Sequence, residues 1–313
     1  MPKVLIADNI SDVVCEIFDT NNIEYEKKVG LSEDELSAEI KGYDGLLIRS
    51  AVTVTKKIIE SSDNLKVIGR PGVGVDNVDL QASSEKNIVV MNTPLGNVQA
   101  TAELTFGIIH SLMRKIHIAN SSMHNKKWEK KKLIGNELLG KNIAIIGFGN
   151  IGKKVADFAK AYGMNIIVVS ETASSGDVDY LNAKVMKFDD MLSEADIITF
   201  HNKLSEKSKY IINSESLKQM KKNSIVINCA RGGIVNETDM KEALEKEIIS
   251  GYGCDVYEVE PQTDPIFCGM NNVVMTPHIG AGTSEAQEKV AVQIAEQVSD
   301  YLINNNIVNQ VKP

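Results

Sequence analysis

The segment KNIAIIGFGNIG, residues 141–152, gives the strongest indication of the fold of this chain. Its apolar run Ile143–Ile146 predicts a buried strand, and the residues after Gly152 carry apolar side chains at the spacing of an amphipathic helix. Gly147 permits the tight turn between strand and helix, Gly149 leaves room for a diphosphate against the backbone, and Gly152 lets the two elements pack closely. Because the free N–H groups of a helix N-terminus bind phosphate, the stretch predicts the first strand, turn and helix of a dinucleotide-binding Rossmann unit.

The next predicted strand, Asn165–Val169, points to the adenosine end of the cofactor. An acidic side chain is expected after this strand to bind the ribose hydroxyls, but Ser170 stands there and the carboxylate follows at Glu171. No arginine follows Ser170, and Glu171 would repel a 2′-phosphate. The sequence therefore favours NAD over NADP, and the alternative for Glu171 is a solvated loop residue.

Outward from this stretch, short apolar runs alternate with amphipathic segments, which predicts parallel strands with helices on both faces. The alternation restarts near residue 140. We expect an α/β protein of two Rossmann-like, doubly wound parallel-sheet domains, with a nucleotide domain (99–284) inserted into a discontinuous substrate domain (1–98 and 285–313). The predicted strands are Val4–Ala7, Ile23–Tyr25, Gly45–Arg49, Leu65–Gly69, Val89–Met91, Asn142–Gly147, Asn165–Val169, Asp196–Phe200, Ser224–Asn228, Gly251–Val256 and Asn272–Met275, and the main predicted helices are Ser11–Thr20, Thr55–Ser61, Gln99–His124 and Ser284–Ile303.

Composition excludes several classes of protein. The 313 residues carry a formal net charge of −8, which argues against a nucleic-acid or anionic-membrane partner, and no apolar stretch approaches the roughly 20 residues of a membrane span. The four cysteines show no CxxC spacing and predict reduced thiols in a cytoplasmic protein. His110 and His117 are too far apart in sequence for the usual metal-ligand spacing, so we expect no metal and interpret their shared helix face as a dimer or domain contact.

Three charged or titratable residues each follow a predicted strand: Arg231, Glu260 and His278. Since ligands bind beyond the carboxyl ends of parallel strands, all three should face the crevice that the Gly147 turn also lines. His278 could take the proton of a substrate hydroxyl, Glu260 could bind its other ring nitrogen, and Arg231 could hold a substrate carboxylate. Any one of them alone could be structural, but together they predict oxidation of a 2-hydroxy acid, with the nicotinamide accepting the hydride.

The motifs GFGNIG, NCARGGIV, DVYEVEP and TPHIGAGT stand in the order and spacing of the D-isomer-specific 2-hydroxyacid dehydrogenases, which this chain resembles along essentially its whole length. The resemblance implies that Arg231, Glu260 and His278 are catalytic and that Asp255 binds the nicotinamide amide. The further cofactor-binding residues that it implies are Asn150, Ile151, Asn202, Cys229, Ala230 and Gly280. Asn202 is a departure, because Asn-Lys replaces the usual Thr-Pro or Val-Pro there.

The segments GLLIRSA (45–51), GRPGVGVDNVD (69–79) and WEKKK (128–132) resemble the phosphoglycerate dehydrogenase branch of that family. The resemblance implies oxidation of 3-phospho-D-glycerate to 3-phosphohydroxypyruvate for serine synthesis by a homodimer or homotetramer. A doubly charged phosphate ester needs several cations, and a solvated loop is the alternative for the lysine run. The substrate-binding residues implied are Arg49, Ser50, Arg70, Gly72, Val73 and Lys130, the last reaching in from the partner subunit.

Three alternatives remain open from the sequence. A hydroxypyruvate or glyoxylate reductase would use the same scaffold with an unphosphorylated substrate. A protein that binds NAD(H) as a sensor, without catalysis, is the alternative from another class, and a purely structural α/β dimer is a third. Because the sequence ends soon after its last predicted helix, we expect no regulatory domain of the kind that longer relatives carry.

Overall fold

The computed structural model describes residues 1–313, which divide into two compact units. The discontinuous unit comprises residues 1–97 and 281–313, and the inserted unit comprises residues 98–280. Each unit contains one sheet with a hydrophobic core on either face. The predicted α/β class with two doubly wound sheets is therefore confirmed, while the substrate and nucleotide assignments of the two units stay predictions.

Strands and helices alternate as expected. The strands are β1 (Lys3–Ile6), β2 (Glu24–Lys27), β3 (Gly45–Leu47), β4 (Val67–Arg70), β5 (Val89–Asn92), β6 (Asn142–Ile146), β7 (Asn165–Val169), β8 (Lys184–Val185), β9 (Ile197–Phe200), β10 (Ile225–Asn228), β11 (Gly251–Cys254), β12 (Val273–Met275) and β13 (Gln310–Val311). The helices are α1 (Val13–Thr20), α2 (Glu33–Glu39), α3 (Lys56–Ser61), α4 (Leu80–Glu85), α5 (Val98–Met113), α6 (Ile116–His124), α7 (Asn150–Ala161), α8 (Ser175–Val178), α9 (Phe188–Leu192), α10 (Ser214–Gln219), α11 (Glu237–Glu245) and α12 (Ser284–Asn304). Every predicted strand is present, whereas β8 and β13 were missed because two residues are too short for a periodic pattern.

The sheet of the discontinuous unit has the order β13-β5-β4-β3-β1-β2, with β1 to β5 parallel and β13 antiparallel to β5. Successive residues of β1 enter different cores. Val4 and Ile6 join the core that α1 and α12 cover, and Leu5 joins the core formed with α2, α3 and α4. A strand covered on both faces reads as a continuous apolar run, which is why β1 was recognisable. None of the helices, the 21-residue α12 included, has the length and hydropathy of a membrane-spanning segment.

The sheet of the inserted unit has seven parallel strands in the order β12-β11-β10-β9-β6-β7-β8. The chain runs outward from β6 through β7 to β8 and then returns to β9 on the other side of β6. The strand order therefore reverses between β6 and β9. Because all seven strands are parallel, their carboxyl ends lie along one edge, and ligands bind at such a reversal point in open α/β sheets.

The single long helix predicted for Gln99–His124 is wrong. The chain forms α5 and α6 instead, separated at Lys115, whose φ of 52° is left-handed. The backbone N–H of Asn136 donates to the carbonyl oxygen of Met113 at 2.8 Å. In a continuous helix that carbonyl would accept from the residue four positions later, so the distant segment replaces the helical hydrogen bond.

The break also overturns the shared face expected for His110 and His117, which lie on different helices. The ring of His110 packs against Phe106 and Tyr162, at 6.2 and 5.0 Å between ring centroids, and burial lowers its pKa. His117 Nε2 lies 2.8 Å from the carbonyl oxygen of Asn271. Both rings thus have partners inside the inserted unit, and the interpretation of one contact face is wrong.

Candidate active site

The turn between β6 and α7 is built for close backbone approach. Gly147 has a φ of 93°, and a Cβ there would lie 2.7 Å from the backbone nitrogen of Asn202. A Cβ at Gly152 would collide with the carbonyl oxygen of Gly147. A side chain at Gly147 would push away the backbone that follows β9, and one at Gly152 would push the helix away from the turn, so both glycines are needed for this packing.

The N-terminus of α7 is open. No side chain caps it, and a Cβ at Gly149, the residue before the helix, would meet no atom within 4 Å. Asn150 and Ile151 form the start of the helix; Asn150 is exposed, and Ile151 packs against the core. Uncapped N–H groups beside open space at the positive end of a helix fit the diphosphate of a dinucleotide.

At the end of β7, the Ser170 hydroxyl accepts hydrogen bonds from the backbone N–H groups of Thr172 and Ala173, each at 3.2 Å. Ser170 therefore stabilises the turn in which it lies. Glu171 forms an exposed ion pair with Lys207, with 2.6 Å between Oε1 and Nζ. The carboxylate expected at this end of the sheet is present one residue later, and a lysine stands against it.

Among the residues predicted to lie near the nicotinamide, one has a buried polar atom without a hydrogen-bond partner. Asn202 Nδ2 donates to the carbonyl oxygen of Lys203 at 2.9 Å, but its buried Oδ1 has no hydrogen bond. Buried polar atoms are nearly always paired, so this oxygen fits a donor group of a bound cofactor. Cys229 and Ala230 are buried residues that directly follow β10, and burial raises the pKa of the Cys229 thiol to about 12, so it stays neutral.

Asp255 follows β11 and organises the segment that carries His278. Its buried carboxylate accepts hydrogen bonds from the Thr276 hydroxyl at 2.6 Å and from the backbone N–H groups of Ile279 and Gly280 at 2.7 Å each. Burial raises the pKa of Asp255, while these hydrogen bonds act in the opposite direction. The visible role of Asp255 is thus to anchor both sides of His278, a contact that the sequence did not predict.

The expected contact between Glu260 and His278 is present. Nδ1 of His278 lies 2.6 Å from Oε2 of Glu260, while Oε1 of Glu260 accepts from the backbone N–H of Tyr257 at 3.0 Å. The hydrogen bond with Glu260 raises the pKa of His278, because it favours the imidazolium. Burial favours neutral Glu260, but its hydrogen bonds outweigh that effect and its pKa is lowered overall. The pair thus holds the ring with Nε2 directed away from Glu260.

Arg231 stands close enough to this pair to act on both members. Burial and the mutual hydrogen bond have the larger effects on the pKa values of Glu260 and His278. The positive charge of Arg231 is a smaller effect that acts to lower both pKa values. Its Nη1 donates to the carbonyl oxygen of Ala230 at 2.7 Å, and its own carbonyl accepts from Asn228 Nδ2 at 2.8 Å. The structure therefore groups the three residues expected to be catalytic along the carboxyl edge of one parallel sheet.

In the discontinuous unit, Arg49 and Ser50 follow β3 in a turn held by Asp8. Oδ2 of Asp8 accepts from the backbone N–H groups of Arg49 at 2.9 Å and Ala51 at 3.0 Å. Arg49 is half-buried and Ser50 is exposed. The buried carboxylate of Asp8 thus fixes the backbone of the turn that carries both predicted substrate-binding residues.

Arg70, Gly72 and Val73 lie at the end of β4 and in the loop after it. The Arg70 guanidinium donates from Nε to Asn77 Oδ1 at 2.8 Å. The backbone N–H of Gly72 donates to the Thr93 hydroxyl at 2.7 Å. Val73 is half-buried. All three lie at the same carboxyl edge as the Arg49 turn, because β3 and β4 are parallel neighbours.

Lys130 lies elsewhere, in an exposed 3₁₀ turn of the inserted unit, Lys130–Lys132. Lys132 pairs with Glu129 at 2.9 Å, and Trp128 is 79% exposed. The contact of Lys130 with the substrate of a partner subunit stays a prediction.

Sequence reasoning missed Asp8 and Asn77 as residues of the substrate loops, and it missed Thr276 beside Asp255. Asp8 comes shortly after β1, so the rule applied to Arg231 and His278 would have found it. Asn77 and Thr276 carry no such signal, since their contacts depend on loop conformation.

Known proteins share both the sequence pattern and the fold of this chain. The sequence model of a family described as "D-isomer specific 2-hydroxyacid dehydrogenase, NAD binding domain" matches residues 106–280. The "D-3-phosphoglycerate dehydrogenase" of Synechocystis sp. is 41% identical over 303 residues, which are 97% of this chain and 54% of the relative. The "Hydroxypyruvate reductase" of Thermotoga maritima is 44% identical over 275 residues, 86% of this chain and 88% of the relative.

Among solved structures, the TT0316 protein from Thermus thermophilus superimposes with a TM-score of 0.90 at 29% sequence identity, covering 99% of both chains. The chain spans little more than half the length of the curated phosphoglycerate dehydrogenases that it matches.

Proposed function

Since this chain belongs to the family of D-isomer-specific 2-hydroxyacid dehydrogenases, we propose that it transfers a hydride between NAD and the alpha carbon of a D-2-hydroxy acid. We propose 3-phospho-D-glycerate as that acid, oxidised to 3-phosphohydroxypyruvate in serine biosynthesis. The observation that carries the proposal is the 2.6 Å contact between His278 and Glu260 beside Arg231, in a sheet whose reversal point carries the open Gly147–Gly152 turn.

His278 serves as the general base of the oxidation in this proposal. Glu260 occupies Nδ1, so Nε2 is the ring nitrogen that takes the hydroxyl proton. As the ring becomes cationic, the Glu260 carboxylate stabilises it, which is the direction in which the pKa of His278 is shifted. In the reverse reaction the imidazolium returns the proton to the substrate oxygen.

Arg231 binds the substrate carboxylate and polarises the oxygen at C2, for which a guanidinium is suited. NAD, when bound, supplies the acceptor for the hydride. Its diphosphate fits the uncapped start of α7 at Asn150 and Ile151, and its nicotinamide fits the side of Asn202, whose buried Oδ1 needs a donor.

The phosphate of the substrate is assigned to cations of the discontinuous unit. Arg49 and Arg70 lie at the carboxyl ends of neighbouring parallel strands, and both are half-buried. The backbone N–H of Arg49 donates to Asp8, and the side chain of Arg70 donates to Asn77. A doubly charged anion favours such a pair of guanidinium groups. The held backbone of Arg49 and the held side chain of Arg70 support a phosphorylated substrate.

A reductase for unphosphorylated hydroxypyruvate is the second candidate, supported by the relative of that name from Thermotoga maritima. The two functions are tested by steady-state NADH oxidation with 3-phosphohydroxypyruvate and with hydroxypyruvate. The proposal expects kcat/KM to be far higher for the phosphorylated acid. Equal values would replace it by the second candidate, and NADH binding without turnover of any 2-keto acid would favour a sensor.

A homodimer, or a tetramer built from such dimers, is proposed from the surface of the inserted unit. The segment 116–139 exposes five large apolar side chains, and exposed apolar surface can mark a contact between proteins. They are Ile116, Met123, Trp128, Ile134 and Leu139. Lys130 belongs to this segment, as a contribution to the partner subunit would require. A cytoplasmic location is proposed on the four free thiols.

A further inference from the structure

The side-chain amide of Asn77 joins the two loops that carry the predicted phosphate ligands. Its Oδ1 accepts a hydrogen bond from Nε of Arg70 at 2.8 Å. Its Nδ2 donates to the carbonyl oxygens of Arg49 at 2.6 Å and Val52 at 2.5 Å. One half-buried side chain therefore contacts the Arg70 guanidinium and both ends of the Arg49–Val52 turn.

Only an amide satisfies these three partners. Nε of Arg70 is solely a donor, and the two carbonyl oxygens are solely acceptors, so the oxygen of Asn77 must face Arg70 and its nitrogen must face the turn. Both N–H groups of the amide are used. An aspartate would keep the bond to Arg70 but set a carboxylate oxygen against two carbonyl oxygens, and an alanine would lose all three bonds.

The backbone of Asn77 is itself fixed. Its carbonyl accepts from the N–H of Val54 at 2.8 Å, and Val54 forms a parallel bridge with Val78. The carbonyl of Val54 in turn accepts from the N–H of Asp79 at 2.9 Å, so the segment after the Arg49 turn and the segment after Arg70 are paired on both sides of Val78, the residue next to Asn77. This pairing fixes the backbone from which the Asn77 side chain extends.

Both elements that Asn77 contacts are also held from elsewhere. Asp8 binds the N–H groups of the Arg49 turn from below, while Asn77 binds its carbonyl groups. Gly72 has a φ of 141°, and a Cβ there would lie 2.7 Å from Nη1 of Arg70, so the guanidinium lies over a residue without a side chain. Nε of Arg70 donates to Asn77, so this bond helps to fix the orientation of the guanidinium plane.

We infer that Asn77 is a positioning residue for substrate specificity, which sets the Arg70 guanidinium and the Arg49 turn in one fixed arrangement for binding the anionic substrate. The inference rests on the proposed function, because it assumes that these two loops bind the acid. It adds that the recognition of the phosphate depends on a neutral amide that does not itself touch the substrate. Displacement of binding groups by about 1 Å can cost about 100-fold in rate, so the effect should be measurable.

The test compares Asn77→Ala with the matched control Asn21→Ala. Asn21 is also a half-buried amide of the discontinuous unit, and its Nδ2 donates to the carbonyl oxygen of Ile17 at 2.8 Å, at the end of α1. KM and kcat are measured with 3-phosphohydroxypyruvate, together with the Kd of NADH and the calorimetric Kd of 3-phospho-D-glycerate. For Asn77→Ala we expect KM and the Kd of the acid to rise about 10-fold or more, with a smaller change in kcat and no change for NADH. Asn21→Ala should leave all four values unchanged.

A double-mutant cycle with Arg70→Lys separates positioning from general stability. Lysine keeps the charge but lacks the Nε–H group, so Asn77→Ala should raise KM less in the Arg70→Lys background than in the parent. If Asn77→Ala does not fold, Asn77→Asp serves in its place, because it keeps the acceptor for Arg70 and loses only the donors to the turn; its KM should also rise.

Equal KM values for Asn77→Ala and Asn21→Ala, or a fall in kcat alone, would overturn the inference. If the parent protein binds 3-phospho-D-glycerate but oxidises no 2-hydroxy acid, the proposed function fails, and the calorimetric comparison still decides the role of Asn77. A parent protein that binds no such acid would contradict both.

Discussion

The carboxylate of Glu260 lies 2.6 Å from Nδ1 of His278, and the imidazole therefore has one ring nitrogen bound and one left for a substrate. This contact joins two loops that follow different strands, β11 and β12, of the same parallel sheet. It raises the pKa of His278, with consequences for the pH dependence of catalysis.

Glu260→Gln should shift the pH profile of the oxidation toward acid. The oxidation needs neutral His278, so kcat/KM should rise with pH through the raised pKa of that ring. Loss of the carboxylate removes the main cause of the shift, and the ring then loses its proton at a lower pH. The profile of kcat/KM against pH measures this, and an unchanged midpoint would contradict the assigned contact.

Asp255→Asn should lower both stability and kcat. The N–H groups of Ile279 and Gly280 need an acceptor, and an amide can offer only one oxygen where the carboxylate offers two. A buried donor left unpaired costs about 1–3 kcal/mol, which denaturant unfolding would detect. Asp264→Asn, at an exposed position of the same unit, is the control and should change neither value.

Glu171→Gln should increase the use of NADP. Lys207 is paired with Glu171, and removal of that carboxylate leaves a lysine at the end of β7 that can attract a 2′-phosphate. The ratio of kcat/KM for NADP to that for NAD should rise, and Lys207→Ala in the Glu171→Gln background should bring it down again. If the ratio stays the same in all three proteins, this ion pair has no part in the choice of cofactor.

Trp128→Glu should reduce the oligomeric state. Trp128 is 79% exposed within the apolar segment 116–139, and a buried carboxylate at a subunit contact is strongly unfavourable. Tyr180→Glu, which alters another exposed aromatic residue of the same unit, should leave the mass unchanged. Light scattering after gel filtration decides the matter, and a parent protein that is monomeric would contradict the proposed dimer.

The sequence alone predicted those features whose evidence lies within a single strand, turn or helix. Apolar runs located the parallel strands, because strands buried on both faces read as continuous hydrophobic segments. The GxGxxG pattern located the turn at Gly147, and the rule for strand ends pointed to Arg231 and His278.

The sequence did not predict features that depend on contacts between segments far apart in the chain. At the break near Lys115 the carbonyl of Met113 accepts a hydrogen bond from Asn136, and the periodicity of the helical sequence gives no indication of that bond. The anchoring of the His278 segment by Asp255, and the bridge that Asn77 makes between two loops, likewise depend on loop conformations that only coordinates show.

Replacement of His278 by alanine is the most direct test of its role as the general base. Single-turnover and steady-state rates with 3-phospho-D-glycerate and NAD would be measured beside the Kd of NADH. The account predicts that kcat falls by about 10²–10⁴, the usual contribution of a general base, while NADH binds as in the parent protein. A His278→Ala protein that keeps its kcat, or that loses NADH binding instead, would contradict it.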